Sequence, residues 1–302
     1  MSLIPYSGVI ASAGHQAAAY INTANATGEG GSWNMIGSYI GPAQLPGWEL
    51  NDNFQPIEGI GWFRDIEQVP GRFEPTVNGQ LNIVNPTYLV ATAVRNETTG
   101  FLPAFAFKIV TAQHIVTFTY AYFQDLRFQG QENGDVNATF SIQSLFATLV
   151  AGDGTVVVVP HQAGGVLRWQ HVRTLTVGGE DMRNFLSSFN VGIQNNIQRV
   201  GMRTDNDAFY PRGALTMIPG VEKLQVSYNM HTTLLTPADA ARTMGSTVIT
   251  IQDPASETHS LVMTIANNHM SRRSAQQAGA NAIIAYSCDV AAYALSFSTS
   301  PA

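Results

Sequence analysis

Histidine and clustered acidic side chains are the groups in this sequence that could bind a metal ion or transfer a proton. The seven histidines are scattered, and no His-x-x-x-His pair lies beside an acid on a predicted helix. The segment Thr204-Asp205-Asn206-Asp207 offers oxygen ligands of the kind that Ca²⁺ prefers, but the other ligands of a calcium loop are missing. We therefore predict a polar turn at this segment, and no metal site or cofactor in the chain.

The remaining reactive residue types also lack the partners that catalysis requires. The chain has no Gly-x-Ser-x-Gly elbow and no phosphate-binding Gly-Lys-Ser/Thr loop. The single cysteine, Cys288, lies in the apolar stretch 282–294, which predicts a buried small side chain. Arg272-Arg273 could meet a phosphate or an acidic partner, but a solvated or interface loop is the favoured interpretation. Tryptophan can stack on sugars, yet we expect buried anchors at all four positions: Trp33, Trp48, Trp62 and Trp169. We expect a protein that is not an enzyme.

The composition favours a folded protein whose surface is covered by neighbours. Hydrophobic residues make up 45% of the chain, which is enough for a core. Charged residues make up only 12%, against roughly 25% in an average soluble domain. A surface of neutral polar residues would explain this, but burial against other subunits is the favoured explanation. The net charge of −6 argues against a nucleic-acid reader, and no run of about 18 apolar residues predicts a membrane helix.

Short sequence matches recur in order along the chain, at offsets that drift between 146 and 154 residues. Because chance matches would scatter, their order predicts a tandem duplication, divided at the turn-rich segment 151–154, with one domain at 1–150 and another at 151–302. A structural role is expected for His15 and His161, which occupy matching positions. The matches are His15-Gln16-Ala17 with His161-Gln162-Ala163, Gly30-Gly31 with Gly178-Gly179, Asn34 to Tyr39 with Asn184 to Phe189, Val69-Pro70-Gly71 with Ile218-Pro219-Gly220, Asn85-Pro86 with Thr236-Pro237, and Asp135-Val136 with Asp289-Val290.

Each half shows the patterns of a mainly β domain with one short helix. Asn85 and Thr236 can cap helices that begin with Pro86 and Pro237, with Gly100 and Gly245 as the respective stops. Period-two alternation predicts strands with one apolar face. Four sets are expected to share a face: Val116, Phe118, Tyr120 and Tyr122; Val136, Ala138, Phe140 and Ile142; Leu167, Trp169, Leu175 and Val177; Leu224, Val226, Tyr228 and Met230.

Several of these segments resemble the domains of bacteriophage tail tube proteins. In that family a strand pair and a long loop precede a proline-glycine turn and a second strand, and a hairpin closes the domain. The matching segments are Phe185 to Gly192, Asn195 to Gln198, Arg212 to Leu215, Ile218-Pro219-Gly220 and Lys223 to Met230 in the second half, and Val69 to Glu74, Val77 to Leu81, Thr117 to Leu126, Glu132 to Asp135 and Val136 to Ala147 in the first. Ser271-Arg272-Arg273 and 275–280 depart from the pattern and are expected to interrupt the second closing hairpin.

The resemblance implies sandwich or barrel domains whose sheets join into rings of six domains. Two domains per chain would then give a trimer with pseudo-sixfold symmetry, and stacked rings would form a conduit for DNA in the tail of a virion assembled in the host cytoplasm. The implied partners are other copies of the chain, the tape-measure, terminator and distal tail proteins, and DNA that passes without sequence-specific binding. The acidic segments around Glu132 and Asp135 and around Asp205 and Asp207 suit either ring stacking or the lumen.

Two other classes of protein remain open from the sequence. A double jelly-roll capsid protein is also a tandem duplication that forms pseudo-hexagonal trimers, and it needs eight strands per half. The first half shows six to eight strand patterns, so the count leaves this alternative standing. The early position of the capped helix favours the tail tube. A carbohydrate-binding or hydrolytic β protein would need convergent polar or carboxylate groups, which the sequence does not show.

Overall fold

The chain folds as a mainly β protein that contains a closed six-stranded barrel. The structure is a computed structural model, and it describes residues 16–40, 47–50, 55–57, 67–69, 74–96, 98–154, 166–177, 179–201, 215–232, 245–253, 260–277, 284–291 and 294–300. The mainly β class predicted from the sequence is confirmed. No helix in the described ranges is long and apolar enough to cross a membrane.

The barrel is formed entirely by strands of the first half. Its described elements are β1 (Gln16–Asn22), β2 (Asn34–Ile40), β3 (Gly47–Glu49), β4 (Gln55–Ile57), β5 (Glu67–Val69), β6 (Thr76–Ile83), α1 (Pro86–Ala93), β7 (Phe105–Thr111), β8 (His114–Gln131) and β9 (Val136–Ala151). Antiparallel ladders run β1-β2-β6-β9-β8-β7 and return to β1, so the sheet closes on itself. Closure leaves these six strands without a continuous open edge.

Alternating apolar residues of the barrel strands fill its interior. Val136, Ala138, Phe140 and Ile142 are all buried, so the predicted inner face of β9 is confirmed. The ring of Phe123 lies 4.9 Å from that of Phe105 and 6.2 Å from that of Phe140, measured between ring centroids. This aromatic cluster ties β7, β8 and β9 together inside the barrel.

Strand β8 changes its inward face at Tyr120, where the prediction of one continuous face is wrong. Val116 and Phe118 point inward as expected, but Tyr120 has φ +50° and its side chain is 38% exposed. The ladder with β7 shifts register here, so that Ala121 and Phe123 take the inward positions. A bulge inserts one residue and thereby exchanges the two faces of the strand.

Helix α1 confirms the first predicted cap. Asn85 Oδ1 accepts a hydrogen bond from the Thr87 N–H at 3.2 Å, and Pro86 occupies the first turn. The helix ends at Ala93, earlier than the predicted stop at Gly100, which lies in a later turn with φ +67°. Leu89 and Ala93 are fully buried against the core. The predicted second helix lies outside the described residues, and Gly245 begins a strand.

The second half continues the sheet from the barrel. Its strands are β10 (Val172–Val177), β11 (Glu180–Asp181), β12 (Leu186–Gln194), β13 (Ile197–Gly201), β14 (Leu215–Pro219), β15 (Lys223–Thr232), β16 (Gly245–Gln252), β17 (Ser260–Gln277), β18 (Ile284–Ala291) and β19 (Ala294–Ser300). The predicted inner face of β15 is largely confirmed, because Val226, Tyr228 and Met230 are buried while Leu224 is partly so. Leu167 and Leu175 are buried as predicted, whereas Trp169 is partly buried in a 3-10 turn.

The order of ladders in the second half follows that of the barrel. The succession β1-β7-β8-β9-β6-β2 is matched by β10-β16-β17-β18-β15-β12, with β19 extending the place of β18 along β17. Each half also carries a separate two-stranded sheet, β4-β5 and β13-β14, before the strand β6 or β15. No ladder between β10 and β12 is found among the described residues, so the second set of strands is not closed there.

The irregularities of the ladders also correspond. A register shift falls between Phe105 and Phe107 of β7 and between Gly245 and Thr247 of β16, both 140 residues apart. A second shift falls between Phe123 and Asp125 of β8 and between Met270 and Arg272 of β17, both 147 residues apart. The match of Asp135-Val136 with Asp289-Val290 is not reproduced, because the register opposes Val136 to Gly130 and Ile284 to Gln277, an offset of 148 in this strand.

Two further comparisons concern β17 and β12. Strand β17 runs through Ser271, Arg272 and Arg273 without a break, so the predicted interruption of the second hairpin there is wrong. Strand β12 takes the place of both β2 and β3. Gly192 of β12 opposes Gln225 of β15, and Glu49 of β3 opposes Thr76 of β6, which is the position 149 residues before Gln225.

Truncating Phe123 to alanine should destabilise the barrel by about 4 kcal/mol, since it removes a fully buried ring and leaves a cavity. Urea unfolding of the variant measures this loss. Phe146→Ala is the matched control, because Phe146 is an exposed phenylalanine of the same hairpin. We expect it to change the free energy of unfolding by less than about 0.5 kcal/mol. Equal losses in the two variants would contradict the described barrel interior.

Candidate assembly interface

The two halves of the chain meet along one strand ladder. The distal part of β8, from Asp125 to Gln131, pairs antiparallel with Ser188 to Gln194 of β12, while β9 holds the other edge of β8. Just beyond this ladder the Glu132 N–H donates to Ser187 O at 3.0 Å, and at its other end the Asn195 N–H donates to Gln124 O at 2.8 Å. The sheet therefore runs from the closed barrel into the second half without an open edge between them.

Glycine on each strand allows the two halves to approach closely. A Cβ added at Gly130 would collide with the Phe189 ring, and one added at Gly192 would collide with the Arg127 side chain. The Phe189 ring in turn stacks on Trp169, with centroids 6.1 Å apart and planes 20° from parallel. Gly130 thus leaves room for an aromatic pair that packs over the junction.

Asn195 is the polar centre of this junction. Its side chain is fully buried, and its Nδ2 donates to Ala93 O and to Phe123 O, each at 3.0 Å. These acceptors lie at the end of α1 and in β8, so one amide joins the first half's helix and barrel to the second half. A buried amide that lost these partners would leave several polar groups unsatisfied, which is costly in a medium without water.

Arg95 completes the same network from the first half. Its Nη2 donates to Asn195 O at 3.0 Å and to Gly220 O at 2.6 Å, and its Nε donates to Asn195 Oδ1 at 3.3 Å. Arg95 Nε also lies 3.7 Å from Glu222 Oε2. Burial raises the pKa of the Glu222 carboxyl, and the opposing attraction of Arg95 does not fully offset this.

A second arginine anchors the halves in the opposite direction. Arg199, in β13, donates from Nη2 to Pro75 O at 2.7 Å and to Ser144 O at 3.3 Å, and its Nη1 lies 3.8 Å from Glu74 Oε2. Its side chain is only 8% exposed. Each half therefore inserts one arginine against backbone carbonyls of its own junction with the other, which fixes their orientation as well as their contact.

The residues singled out for chemistry do not converge in the described structure. Arg272 and Arg273 lie in β17 opposite Asp289 and Cys288 of β18. Trp48 is 38% exposed, contrary to the expected buried anchor, and Trp33 lies under Lys108, whose Nζ is 4.3 Å from its ring. Several predicted positions lie outside the described residues: His15, Trp62, His161, Thr204, Asp205, Asn206 and Asp207.

The acidic turn between β8 and β9 borders an open hollow. Glu132 is exposed and Asp135 is partly so, and the hollow, of about 540 Å³, is lined by Asn133, Gly134, Asp135, Arg168, Trp169 and Gln170. The polar turn predicted at Glu132 to Asp135 is present. No group of three or more histidine, cysteine, aspartate or glutamate side chains in the described ranges could hold a metal ion.

Sequence reasoning missed the central residue of the junction. Asn195-Asn196 follows a strand pattern, which predicts a turn, and Asn196 does adopt φ +49° there. Nothing in that local pattern points to Ala93 or Arg95, which lie about a hundred residues earlier.

Comparisons with known proteins give this chain no relatives. No protein family matches it, and a search of curated proteins finds no match either.

Replacing Asn195 with alanine should destabilise the protein by about 3 kcal/mol, because Ala93 O and Phe123 O would lose their donor in a buried setting. The matched control is Asn229→Ala, which removes an exposed asparagine that donates to Ser188 Oγ at 2.8 Å on the same sheet. Chemical denaturation of both variants tests the difference. A loss at Asn195 no larger than that at Asn229 would show that the junction does not depend on the buried amide.

Glu222→Gln should make the stability of the protein less sensitive to pH. Because the folded-state pKa of Glu222 is raised, its contribution to stability is fully present below the unfolded pKa of 4.5 and is lost as the pH rises through the folded pKa. The variant should therefore gain stability relative to the wild type at pH 7 compared with acid pH. Thermal melting of both proteins across that interval measures the change. A larger relative gain in acid would contradict the assigned shift.

Proposed function

We propose that this chain is a structural subunit that assembles with copies of itself into rings, and that these rings stack as the tube of a bacteriophage tail. The observation that carries the proposal is the ladder between β8 and β12. It joins the sheets of two successive units into one continuous wall. A wall that passes from unit to unit through strand pairing can be extended by further units or closed into a ring.

The correspondence between the two halves supports a tandem duplication. Ladder order, two register shifts and the accessory two-stranded sheet all recur in the same succession. Bulges are specific local features, so two of them at matching positions are hard to reconcile with unrelated domains. A chain that carries two copies of one unit needs three chains for a ring of six, which is the trimer expected from the sequence.

The surface composition also favours an assembly. Charged residues make up 12% of the chain, and the outer end of the β8-β9 hairpin exposes large apolar side chains. Phe146, Leu149 and Val150 are between 47% and 53% exposed, and Tyr120 packs edge-on against Phe146 with centroids 6.1 Å apart. An apolar surface of this kind is typical of a protein–protein contact.

Transit of DNA through the tube is compatible with the charge of the chain. A net charge of −6 with 15 lysine and arginine residues gives weak attraction to phosphates, so the wall would let DNA slide instead of holding it. Contacts with tape-measure, terminator and distal tail proteins would occur at the ends of the assembly. The double jelly-roll capsid remains the alternative, but six strands close the described barrel where that fold needs eight per half.

Electron microscopy of the purified protein in negative stain tests the proposal. We expect rings or stacked rods with a central pore a few nanometres wide. Pore-free trimers or flat hexagonal plates would favour the capsid protein instead. A monomer at all accessible concentrations would contradict both assemblies.

A further inference from the structure

The ladder that joins the halves leaves a corresponding strand edge open at the far end of the chain. Strand β8 pairs along its distal part with β9 on one side and β12 on the other. Its counterpart β17 pairs from Arg272 to Gln277 with β18 on one side, and no described strand pairs with its other side. The position that β12 fills at the first unit is thus unfilled at the second.

A matching open edge lies on β3 in the first half. Strand β3 pairs with β6 through Gly47, Trp48 and Glu49, and it is the last strand of the sheet, with no described neighbour on its other side. It corresponds to the part of β12 that pairs with β8, since Glu49 takes the place of Gly192. Trp48 on this edge is 38% exposed, which is unusual for a side chain of its size.

We infer that the open edge of β17 in one copy of the chain binds the open edge of β3 in a second copy, in the register that β8 and β12 use within the chain. The inference rests on the proposed function and identifies the partner and the contact surface. Within the chain Val191 opposes Phe128 and Gly192 opposes Arg127. Transferred through the offset of 147 between β8 and β17, these pairs place Trp48 opposite Ala275 and Glu49 opposite Ser274.

The direction of the backbone groups follows from the same correspondence. Hydrogen bonds from Glu132 and to Gln124 show that even-numbered residues of the distal β8 direct their N–H groups toward β12. The Val136 N–H confirms the alternation, because Val136 opposes Gly130 yet donates away from β8, to Leu167 O at 2.9 Å. By the offset of 147, Arg273, Ala275 and Gln277 direct theirs to the open edge of β17.

A second copy fits this edge better than another protein because the chain supplies both complementary surfaces. One edge accepts and a different edge donates, so the contact is head-to-tail and repeats from copy to copy. The junction inside the chain shows that these two types of edge pair stably in this fold.

Paired cysteines test the inferred register directly. In a Cys288→Ser background, Glu49→Cys combined with Ser274→Cys should form disulfides between copies when an oxidant is added, since this pair corresponds to the closer, non-hydrogen-bonded type. We expect at least a tenfold greater cross-linked fraction than in Glu49→Cys combined with Ala275→Cys. In that control the second cysteine faces the opposite side of the sheet. Equal cross-linking in the two double variants, or none in either although the protein assembles, would overturn the inference.

Ala275→Pro tests the backbone contribution without cysteines. It removes an N–H from the open edge and leaves the β17-β18 ladder intact, so assembly should weaken at least tenfold while circular dichroism and melting stay unchanged. Ala275→Val keeps the N–H and should assemble normally. If the proline variant unfolds, hydrogen exchange of the wild type decides: the amides of Arg273, Ala275 and Gln277 should gain protection on assembly, and unchanged exchange there would contradict the inference.

The outcomes separate this inference from the proposed function. Rings that form while Ala275→Pro has no effect and Glu49 and Ser274 do not cross-link would leave the ring subunit standing and exclude this edge. A wild-type protein that stays monomeric at all concentrations would remove both.

Discussion

The structure depends on one constraint: a strand edge between two β units must have every backbone group satisfied once water is excluded. The ladder between β8 and β12 meets that constraint along its length, and Asn195 meets it where the ladder ends. The amide accepts from Arg95 and donates to carbonyls on two elements of the other half, so the last unpaired groups of α1 and β8 are not left in an apolar setting. Burying this amide is favourable only because all of its partners are in place.

The same constraint explains where small and large residues lie at the junction. Gly130 and Gly192 are needed because their neighbours on the facing strand leave no space for a Cβ. Phe189 and Trp169 then cover the ladder from one side. Arg95 and Arg199, one from each half, hold carbonyls of the other half. The two units therefore form one body whose relative orientation is fixed by backbone contacts more than by apolar area alone.

Local signals in the sequence predicted the strands and the first helix because those features depend on neighbouring residues. The inner faces of β9 and β15, the Asn85 cap and the turn at Glu132 to Asp135 were all readable from spacing. The reversal of faces at Tyr120 was not, because a bulge is set by the partner strand and leaves no periodic mark. Strand β17 was misjudged for a related reason: Arg272 and Arg273 look like a loop, yet a bulge lets the strand continue through them.

The position of β8 before β12 in the chain has a consequence for synthesis. The β8-β9 hairpin turns over only four residues, and every strand of the closed barrel precedes Gly152, so the barrel can form while the rest of the chain is still being made. Its distal β8 edge would then be ready before translation reaches Leu186. The nascent first unit would act as a template on which the second begins to fold. Until then the ribosome-bound intermediate would expose that edge to other nascent chains, which makes this interval the most sensitive to aggregation and to help from chaperones.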